Sequence, residues 1–214
     1  MRCIWWRSTR HWQRSVTNSD YDLEGVDADI APRLMAMVSP HRFWHCKQVS
    51  SLAVSLSLRW NLDEHAARRA GLLHDLCRGK KDEWDTMAEL EGIQLPEWAG
   101  GDRGHLHGPL GAVLAGREFG LPQPWVDAIA GHTHGGPGTS PEEMVLYVAD
   151  HAAEGRKNPQ VRRWRDLAHR DLEAATLEMQ TDLLASLLDQ GKPLWTPTVL
   201  ARNELVLRRA EARH

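Results

Sequence analysis

The sequence predicts an all-α protein built around a single helical domain. Apolar positions recur at helical spacing, most clearly over residues 42–59, where His45, Val49, Leu52 and Leu56 fall on one stripe. No segment shows the alternating pattern of a half-buried strand, and the sequence contains no internal repeat. A chain of 214 residues is long enough for one sizeable core and somewhat short for two domains.

Helix start and stop signals place the individual elements. Gly79 is expected to end the second helix, and Pro109 suits the first turn of a later one. Ser140 and Glu143 have the spacing of a capping box, and the segment HTHGGPG before them must be a loop. The expected helices cover residues 42–59, 63–77, 81–91, 108–119, 124–132, 140–154, 167–188 and 203–213.

The chain divides into three predicted regions. Residues 1–39 form an N-terminal extension, residues 40–190 the helical domain, and residues 191–214 a C-terminal tail or helix. The first 19 residues contain four arginines and no acid, and their CIWW stretch is too short for a signal peptide. We interpret this start as a loosely ordered extension or a misassigned start codon, although its composition also resembles a transit peptide.

The composition excludes several classes of partner and indicates the compartment. The net charge of −3 provides no strong field for nucleic acid, and no apolar run approaches the roughly 20 residues of a membrane span. The three cysteines are an odd number and form no CxxC pair, which favours a reducing, cytoplasmic compartment. The 12 histidines are the unusual feature, because histidine is the commonest metal ligand.

Three different helices each place a ligand-type side chain on an inward face. His74 and Asp75 lie in the apolar segment AGLLHDLC, His45 lies on the apolar stripe of the preceding helix, and Asp150 follows the apolar segment VLYVA. One such residue is more often a satisfied core residue, but three that converge predict a metal site. Imidazole and carboxylate donors suit iron, manganese or zinc.

Two further histidines stand at predicted helix ends. His107 precedes the Gly-Pro start of a helix, and His132 ends a helix before the glycine-rich loop. They could complete a second metal site, with Asp75 bridging two ions. Two ions roughly 3.5–4 Å apart would clamp a phosphate and lower the pKa of a water.

The ordered set His45, His74-Asp75, His107, His132 and Asp150 resembles the HD domain superfamily of metal phosphohydrolases. More narrowly, it resembles the YqeK branch of bacterial symmetrical diadenosine tetraphosphate hydrolases. The strings that carry this resemblance span roughly residues 40–177 and are RFWHCKQV, GLLHDLCRGK, LHGPLGA, GHTHGGPG and YVADHAAEGR.

This resemblance implies an all-helical bundle, a homodimer and a di-iron centre, with manganese or another divalent metal as the alternative. It implies that a metal-activated hydroxide cleaves diadenosine tetraphosphate to two ADP. By the same resemblance, one metal is held by His45, His74, Asp75 and Asp150, and the other by His107, His132 and the bridging Asp75. Arg42 and Arg156 match basic positions of the family and are expected to contact phosphates.

The sequence departs from the family at two positions. Arg78 replaces a lysine, and since arginine cannot act as an acid near neutral pH, that role would fall to Lys80 or to water. Gly136 replaces an arginine, which removes one phosphate contact. The predicted catalytic residues are Asp75, Arg78 and Lys80. The predicted substrate contacts are Arg42, Arg78, Thr133, Gly136 and Arg156.

Several alternatives stay open from the residues alone. The HTHGGPG loop either sets the register of the phosphate chain through its backbone N–H groups or is an ordinary turn. His105 and His134 are expected to be solvated loop histidines, Cys77 a core residue, and Trp44 the best candidate among ten tryptophans for stacking on adenine. Competing functions are hydrolysis of another nucleotide and a non-catalytic nucleotide sensor.

Overall fold

The computed structural model describes residues 24–212 and contains ten α-helices, with no β-strand among those residues. The helices are α1 Ala31–Met37, α2 Pro40–Trp60, α3 Glu64–Leu73, α4 Trp84–Glu91, α5 His107–Phe119, α6 Gln123–Gly131, α7 Pro141–Ala152, α8 Val161–Ala168, α9 Leu172–Asp189 and α10 Thr196–Glu211. None of the described helices is long and apolar enough to cross a bilayer. The predicted all-α class is confirmed.

Helix α7 is the centre of the bundle. It packs against α2, α3, α6, α8 and α9. Its residues from Met144 through Asp150 are all buried, which is typical of a helix that is surrounded by other helices. The predicted capping box starts it: Ser140 Oγ accepts from the N–H of Glu143, and the Glu143 carboxylate accepts from the N–H of Ser140. This cap fixes the position of the helix that carries Asp150.

Helices α2 and α3 approach each other closely at one glycine. A Cβ on Gly71 would lie 2.7 Å from the backbone nitrogen of Ser50 and closer still to its Cα. Only a residue without a side chain allows this approach. The contact brings the end of α3 against the middle of α2, and the ring centroids of His45 and His74 are 5.3 Å apart as a result.

The predicted second helix ends earlier than expected. Helix α3 stops at Leu73, and the chain continues in tight turns through Gly79 with bonds from Leu76 N to Leu73 O and from Arg78 N to Asp75 O, each 2.9 Å. The expected stop at Gly79 is therefore wrong. Gly79 instead lets the carbonyl of Met37 at the end of α1 approach the backbone. His74 and Asp75 consequently lie in a turn, where successive side chains can point to one site.

The end of the chain also differs from the expectation. The single helix predicted over residues 167–188 is two helices, because Asp171 caps α9 by accepting from the N–H of Ala174. Helix α10 begins at Thr196 rather than at residue 203. It is not a solvated helix, since Ala201 and Leu205 are buried.

Part of the predicted N-terminal extension belongs to the core. Ile30 at the N-terminal cap of α1 and Leu34 within α1 are both fully buried, so the packed region begins before residue 40. The arginine-rich first 19 residues, and the interpretations given for them, lie outside the described residues.

Replacement of Gly71 by alanine tests the close approach of α2 and α3. The added Cβ meets backbone atoms of Ser50, which cannot rotate away, so we expect the free energy of unfolding to fall by about 1–3 kcal/mol. The control is Gly111→Ala in α5, whose Cβ would lie 3.5 Å from the nearest atom. Urea unfolding measures both, and equal stability of the two variants would contradict the proposed constraint.

Candidate metal centre

The six residues predicted as metal ligands come together between the helix ends and α7. His45 lies in α2, His74 and Asp75 in the turn after α3, His107 at the start of α5, His132 just after α6, and Asp150 in α7. All six are buried. Five separate segments of the chain thus deliver imidazoles and carboxylates to one place.

The first group consists of His45, His74 and Asp150, whose ligand atoms lie within 4.8 Å of one another. Asp150 Oδ1 is 3.0 Å from His45 Nε2 and 3.6 Å from His74 Nε2. The Nε2 of His74 is completely buried and has no hydrogen-bond partner. A buried polar atom without a hydrogen-bond partner is costly, so this nitrogen is better explained as a metal ligand than as a core residue.

The second group consists of Asp75, His107 and His132. Asp75 Oδ1 lies 3.4 Å from His107 Nε2 and 3.8 Å from His132 Nε2, and the two Nε2 atoms are 3.1 Å apart. The other carboxylate oxygen of Asp75, Oδ2, lies 3.5 Å from His74 Nε2. Asp75 is therefore placed between the two groups.

Backbone carbonyls fix the orientation of three of the rings. His74 Nδ1 donates to Gly71 O at 2.8 Å, and His132 Nδ1 donates to Ile129 O at 2.7 Å. His107 Nδ1 bonds in the same way to the carbonyl three residues before it. We assign the proton to Nδ1 from this geometry, which leaves the Nε2 lone pairs directed into the site.

Burial lowers the pKa of both histidines in the second group. It lowers the pKa of His132 to about 3 and that of His107 to about 4. Near neutral pH both rings are therefore neutral, and two Nε2 lone pairs face each other at 3.1 Å. Arg78 donates toward the Nε2 of His107 at 3.0 Å, which leaves that of His132 without a hydrogen. The Nε2 of His132 is therefore directed, together with Asp75 and His74, at a place that a cation would suit.

The first group requires positive charge. Burial by itself lowers the pKa of His74, but Asp75 and Asp150 outweigh it and raise that pKa to about 10. Burial raises the pKa of both carboxyl groups, but Arg156 for Asp150 and His74 for Asp75 outweigh it, so both pKa values lie well below the ordinary range. Without a metal, a proton on His74 balances the carboxylates, and a divalent cation would take its place.

Three arginines contact the six candidate ligands, which we call the ligand group. Arg42 Nη1 donates to Asp75 Oδ2 at 2.7 Å. Arg156 donates through Nε to the Asp150 carbonyl at 2.6 Å and through Nη2 to its carboxylate. Arg78 Nη1 lies 2.9 Å from His107 Nδ1. All three were predicted from the sequence as substrate contacts, and the structure places each beside a ligand-type residue.

The remaining predicted residues are less close. Lys80 is buried, and its Nζ lies 3.3 Å from Glu83 Oε1 rather than against the ligand group. Thr133 Oγ1 is 3.5 Å from His132 Nε2, which is at the limit of a hydrogen bond. The carbonyl of Gly136 accepts from Thr139, and a Cβ at this position would meet nothing within 4 Å. A larger side chain would therefore fit at this position.

The expectation that His105 and His134 are solvated is wrong. His105 is buried, and neither of its ring nitrogens has a hydrogen-bond partner. The rings of Trp98 and Trp195 contact it edge-on at 4.8 and 4.7 Å between centroids, and Trp98 also contacts His134. Aromatic residues far apart in sequence form this cluster, so only the approach of α10 to the loop could reveal it. Cys77 is buried as predicted.

Helix α10 also holds the loop that follows His132. Thr198 Oγ1 donates to His134 O at 2.7 Å, and the Glu204 carboxylate accepts from Gly138 N at 2.6 Å. The C-terminal segment thus stabilises the HTHGGPG loop. No signal in the sequence indicated this role, because the two partners are more than 60 residues apart.

The sequence model of the HD domain family matches residues 42–155, which include all six candidate ligands. The chain therefore belongs to the HD domain family.

Related proteins extend this similarity over more of the chain. The protein named symmetrical bis(5'-nucleosyl)-tetraphosphatase of Bacillus subtilis (strain 168) is 32% identical over 172 residues, which cover 79% of this chain and 91% of that protein. The protein of the same name from Halalkalibacterium halodurans is 29% identical over the same coverage. A crystal structure from Clostridium acetobutylicum, titled as a predicted HD superfamily hydrolase involved in NAD metabolism, has a TM-score of 0.79 at 31% identity, with 84% of this chain and 96% of that chain covered.

The residues present fit a divalent metal ion. Imidazole nitrogens and carboxylate oxygens without thiolates suit the borderline and harder divalent ions, and the unpartnered Nε2 of His74 is directed at the place where they converge. Carbonyl acceptors behind the rings are the usual support of histidine ligands. The family and the geometry agree on a metal centre.

Replacement of Asp75 by asparagine tests its position between the two groups. The change keeps the size of the side chain but removes the anionic oxygens that face both groups, so we expect metal content to fall below about half of the wild-type value. Elemental analysis after manganese loading and gel filtration measures this. Asp189→Asn, at an exposed position, is the control. Unchanged metal content in Asp75→Asn would show that Asp75 is not a ligand.

Proposed function

We propose that this chain is a metal-dependent phosphohydrolase that cleaves diadenosine tetraphosphate symmetrically into two ADP. The names of its relatives from Bacillus subtilis and Halalkalibacterium halodurans support the substrate. The observation that carries the proposal is the convergence of buried imidazoles and carboxylates on one place, where the Nε2 of His74 has no hydrogen-bond partner. A site of this kind is built for a cation, and hydrolysis of phosphates is its common use.

We further propose how the six candidate ligands divide. His45, His74, Asp75 and Asp150 hold one ion, and His107 and His132 hold the other with Asp75 between them. Two iron ions are the favoured occupants, with manganese as the alternative, because the donors are nitrogen and oxygen. When bound, two divalent ions supply Lewis-acid polarisation of the phosphate and lower the pKa of a water.

The arginines orient the phosphate chain in this proposal. Arg42 and Arg156 lie at the carboxylates of the site, where their remaining N–H groups can donate to phosphate oxygens. Arg78 lies at the opposite side, against His107. Phosphoryl transfer depends mainly on positioning and charge neutralisation, which fixed guanidinium groups provide. Thr133 and the backbone around Gly136 are the remaining proposed contacts.

The presence of Arg78 in place of lysine is compatible with this reaction. A symmetric cut releases ADP, whose terminal phosphate has a second pKa of about 6, as other phosphate monoesters do. Such a group leaves as an anion and needs no proton near neutral pH. Arg78 therefore has only to stabilise negative charge, and Lys80, which faces Glu83, is not required as an acid.

The setting of the enzyme is also part of the proposal. Cys46 and Cys77 are buried free thiols, which supports a reducing cytoplasmic compartment. A homodimer follows from the resemblance to the YqeK branch. The catalytic domain extends beyond the expected bounds of residues 40–190, because Ile30 and Leu34 belong to the core and α10 contacts the loop after His132. Size-exclusion chromatography with light scattering tests the assembly.

The first measurement is the product pattern from diadenosine tetraphosphate. We expect purified protein with added iron or manganese to produce ADP alone, because the ligand group lies between arginines on two sides. Separation of nucleotides by chromatography decides this. AMP together with ATP would keep the hydrolase but reject the symmetric cut. Hydrolysis of a different nucleotide only would support a hydrolase with another substrate. Tight nucleotide binding without hydrolysis would support a non-catalytic sensor.

Gly136→Arg tests whether the loop after His132 contacts the phosphates. Open space surrounds this position, so an arginine fits without strain, and the YqeK branch commonly carries one there. We expect KM for diadenosine tetraphosphate to fall about threefold, because one exposed contact between an arginine and a phosphate contributes little binding energy. The melting temperature should not change. Gly100→Arg, at another open position, is the control for added charge, although its positive φ makes it slightly strained. An unchanged KM would make the loop a connecting turn only.

A further inference from the structure

The two ends of the ligand group differ in charge compensation. Contacts form a row in the order Arg156, Asp150, His74, Asp75, His107 and Arg78. Arg156 pairs with the carboxylate of Asp150, and Arg42 pairs with that of Asp75. Arg78 instead contacts the ring of His107, and no carboxylate among residues 24–212 pairs with it. The His107 end therefore carries uncompensated positive charge.

A cleft of about 350 Å³ begins at Arg78. This volume is within the roughly 300–1,000 Å³ of small-molecule sites. Three cationic side chains, those of Arg78, Lys81 and Arg103, line the cleft together with the single carboxylate of Asp102. The arrangement favours an anionic ligand.

The local partners of these side chains leave the positive charge available. Asp102 Oδ1 accepts from the backbone N–H of Gly104 at 2.8 Å. Arg103 pairs with Asp85, whose side chain is 66% exposed, so the pair is weak and easily exchanged for a phosphate. Lys81 is exposed and pairs with no carboxylate of the described residues.

The cleft shares a wall with the metal centre. Trp84 lines the cleft, and its ring centroid lies 6.2 Å from that of His107. The indole N–H donates to Cys77 O at 2.8 Å, which fixes the ring. The cleft therefore adjoins the candidate metal centre at Arg78 and at the Trp84 ring beside His107.

We propose that this cleft binds one nucleoside diphosphate arm of the substrate. The inference rests on the proposed function, because a symmetric cut requires the midpoint of the tetraphosphate to lie over the ligand group. One diphosphate arm must then extend past each end of the row. Lys81 and Arg103 contact the arm that passes Arg78, and they determine which phosphorus is centred.

At the opposite end of the row, an exposed aromatic side chain lies beside the segment that carries Arg156. Trp44, next to His45, is 42% exposed, and its ring lies so close to Gly155 that a Cβ there would be 2.7 Å from it. Gly155 directly precedes Arg156. An exposed indole beside an arginine suits a nucleobase followed by phosphates. Each end of the row thus offers a cationic path.

The test counts ADP molecules bound to the manganese-loaded protein. We expect isothermal titration to find two ADP per chain in the wild type and one in the double variant Lys81→Ala/Arg103→Ala. In that variant KM for diadenosine tetraphosphate should rise about tenfold, because two exposed charged contacts with the substrate are lost, and kcat should be nearly unchanged. Arg170→Ala/Lys192→Ala removes the same charge at exposed positions elsewhere and serves as the control.

Two results would overturn the assignment: a single ADP bound by the wild type, or two ADP still bound by the double variant. A tenfold change in KM that the control variant shares would also overturn it, because bulk charge would then be the cause. A wild-type protein that binds two ADP but does not cleave diadenosine tetraphosphate would reject the proposed function and keep the cleft.

Discussion

Two buried carboxylates determine the chemistry of this molecule. Asp75 and Asp150 lie inside a helical bundle, where an uncompensated negative charge is costly. The arginines and histidines around them are arranged to balance that charge. The balance is incomplete at the Nε2 of His74, which is buried and has no hydrogen-bond partner. A divalent ion is the group that completes it.

The bundle brings these residues together through helix ends. His74, His107 and His132 each occupy the first or last turn of a helix or the turn beyond it, and each ring is fixed by the carbonyl three residues before it. A helix end leaves carbonyls and N–H groups unpaired, so it offers such partners at no cost to the helix. Helix α7 supplies Asp150 from the centre. Of the three arginines beside the candidate ligands, Arg42 lies in α2, whereas Arg78 and Arg156 lie in the segments that follow α3 and α7.

The HTHGGPG loop and α10 form a second layer of support. The loop follows His132 directly, and contacts from Thr198 and Glu204 hold it against the C-terminal helix. The aromatic cluster around His105 covers the same region. Residues beyond position 190 therefore contribute to the site, although the HD family match ends at residue 155.

The fold class and most of the candidate site could be predicted from the sequence, since they depend on local sequence patterns. Helical periodicity predicted the class, and the Ser140 capping box predicted the start of α7. The histidine and aspartate motifs indicated six residues that the structure brings close together. The helix breaks were harder to predict. Helix α3 ends at Leu73, well before the stop signal at Gly79, and the division of the helix at Asp171 depends on a side-chain cap within a helical pattern.

By itself the sequence determined which side chains are available for chemistry, because residue type and spacing fix donors and helix faces. Only the tertiary structure decided how they are oriented and compensated. Lys80 faces Glu83 rather than the site, His105 and His134 are packed among tryptophans, and Arg78 opens onto a cationic cleft with Lys81 and Arg103. These are contacts between residues that are distant in sequence or on different faces of a turn. The position of each depends on the packing of the whole bundle, which no local pattern encodes.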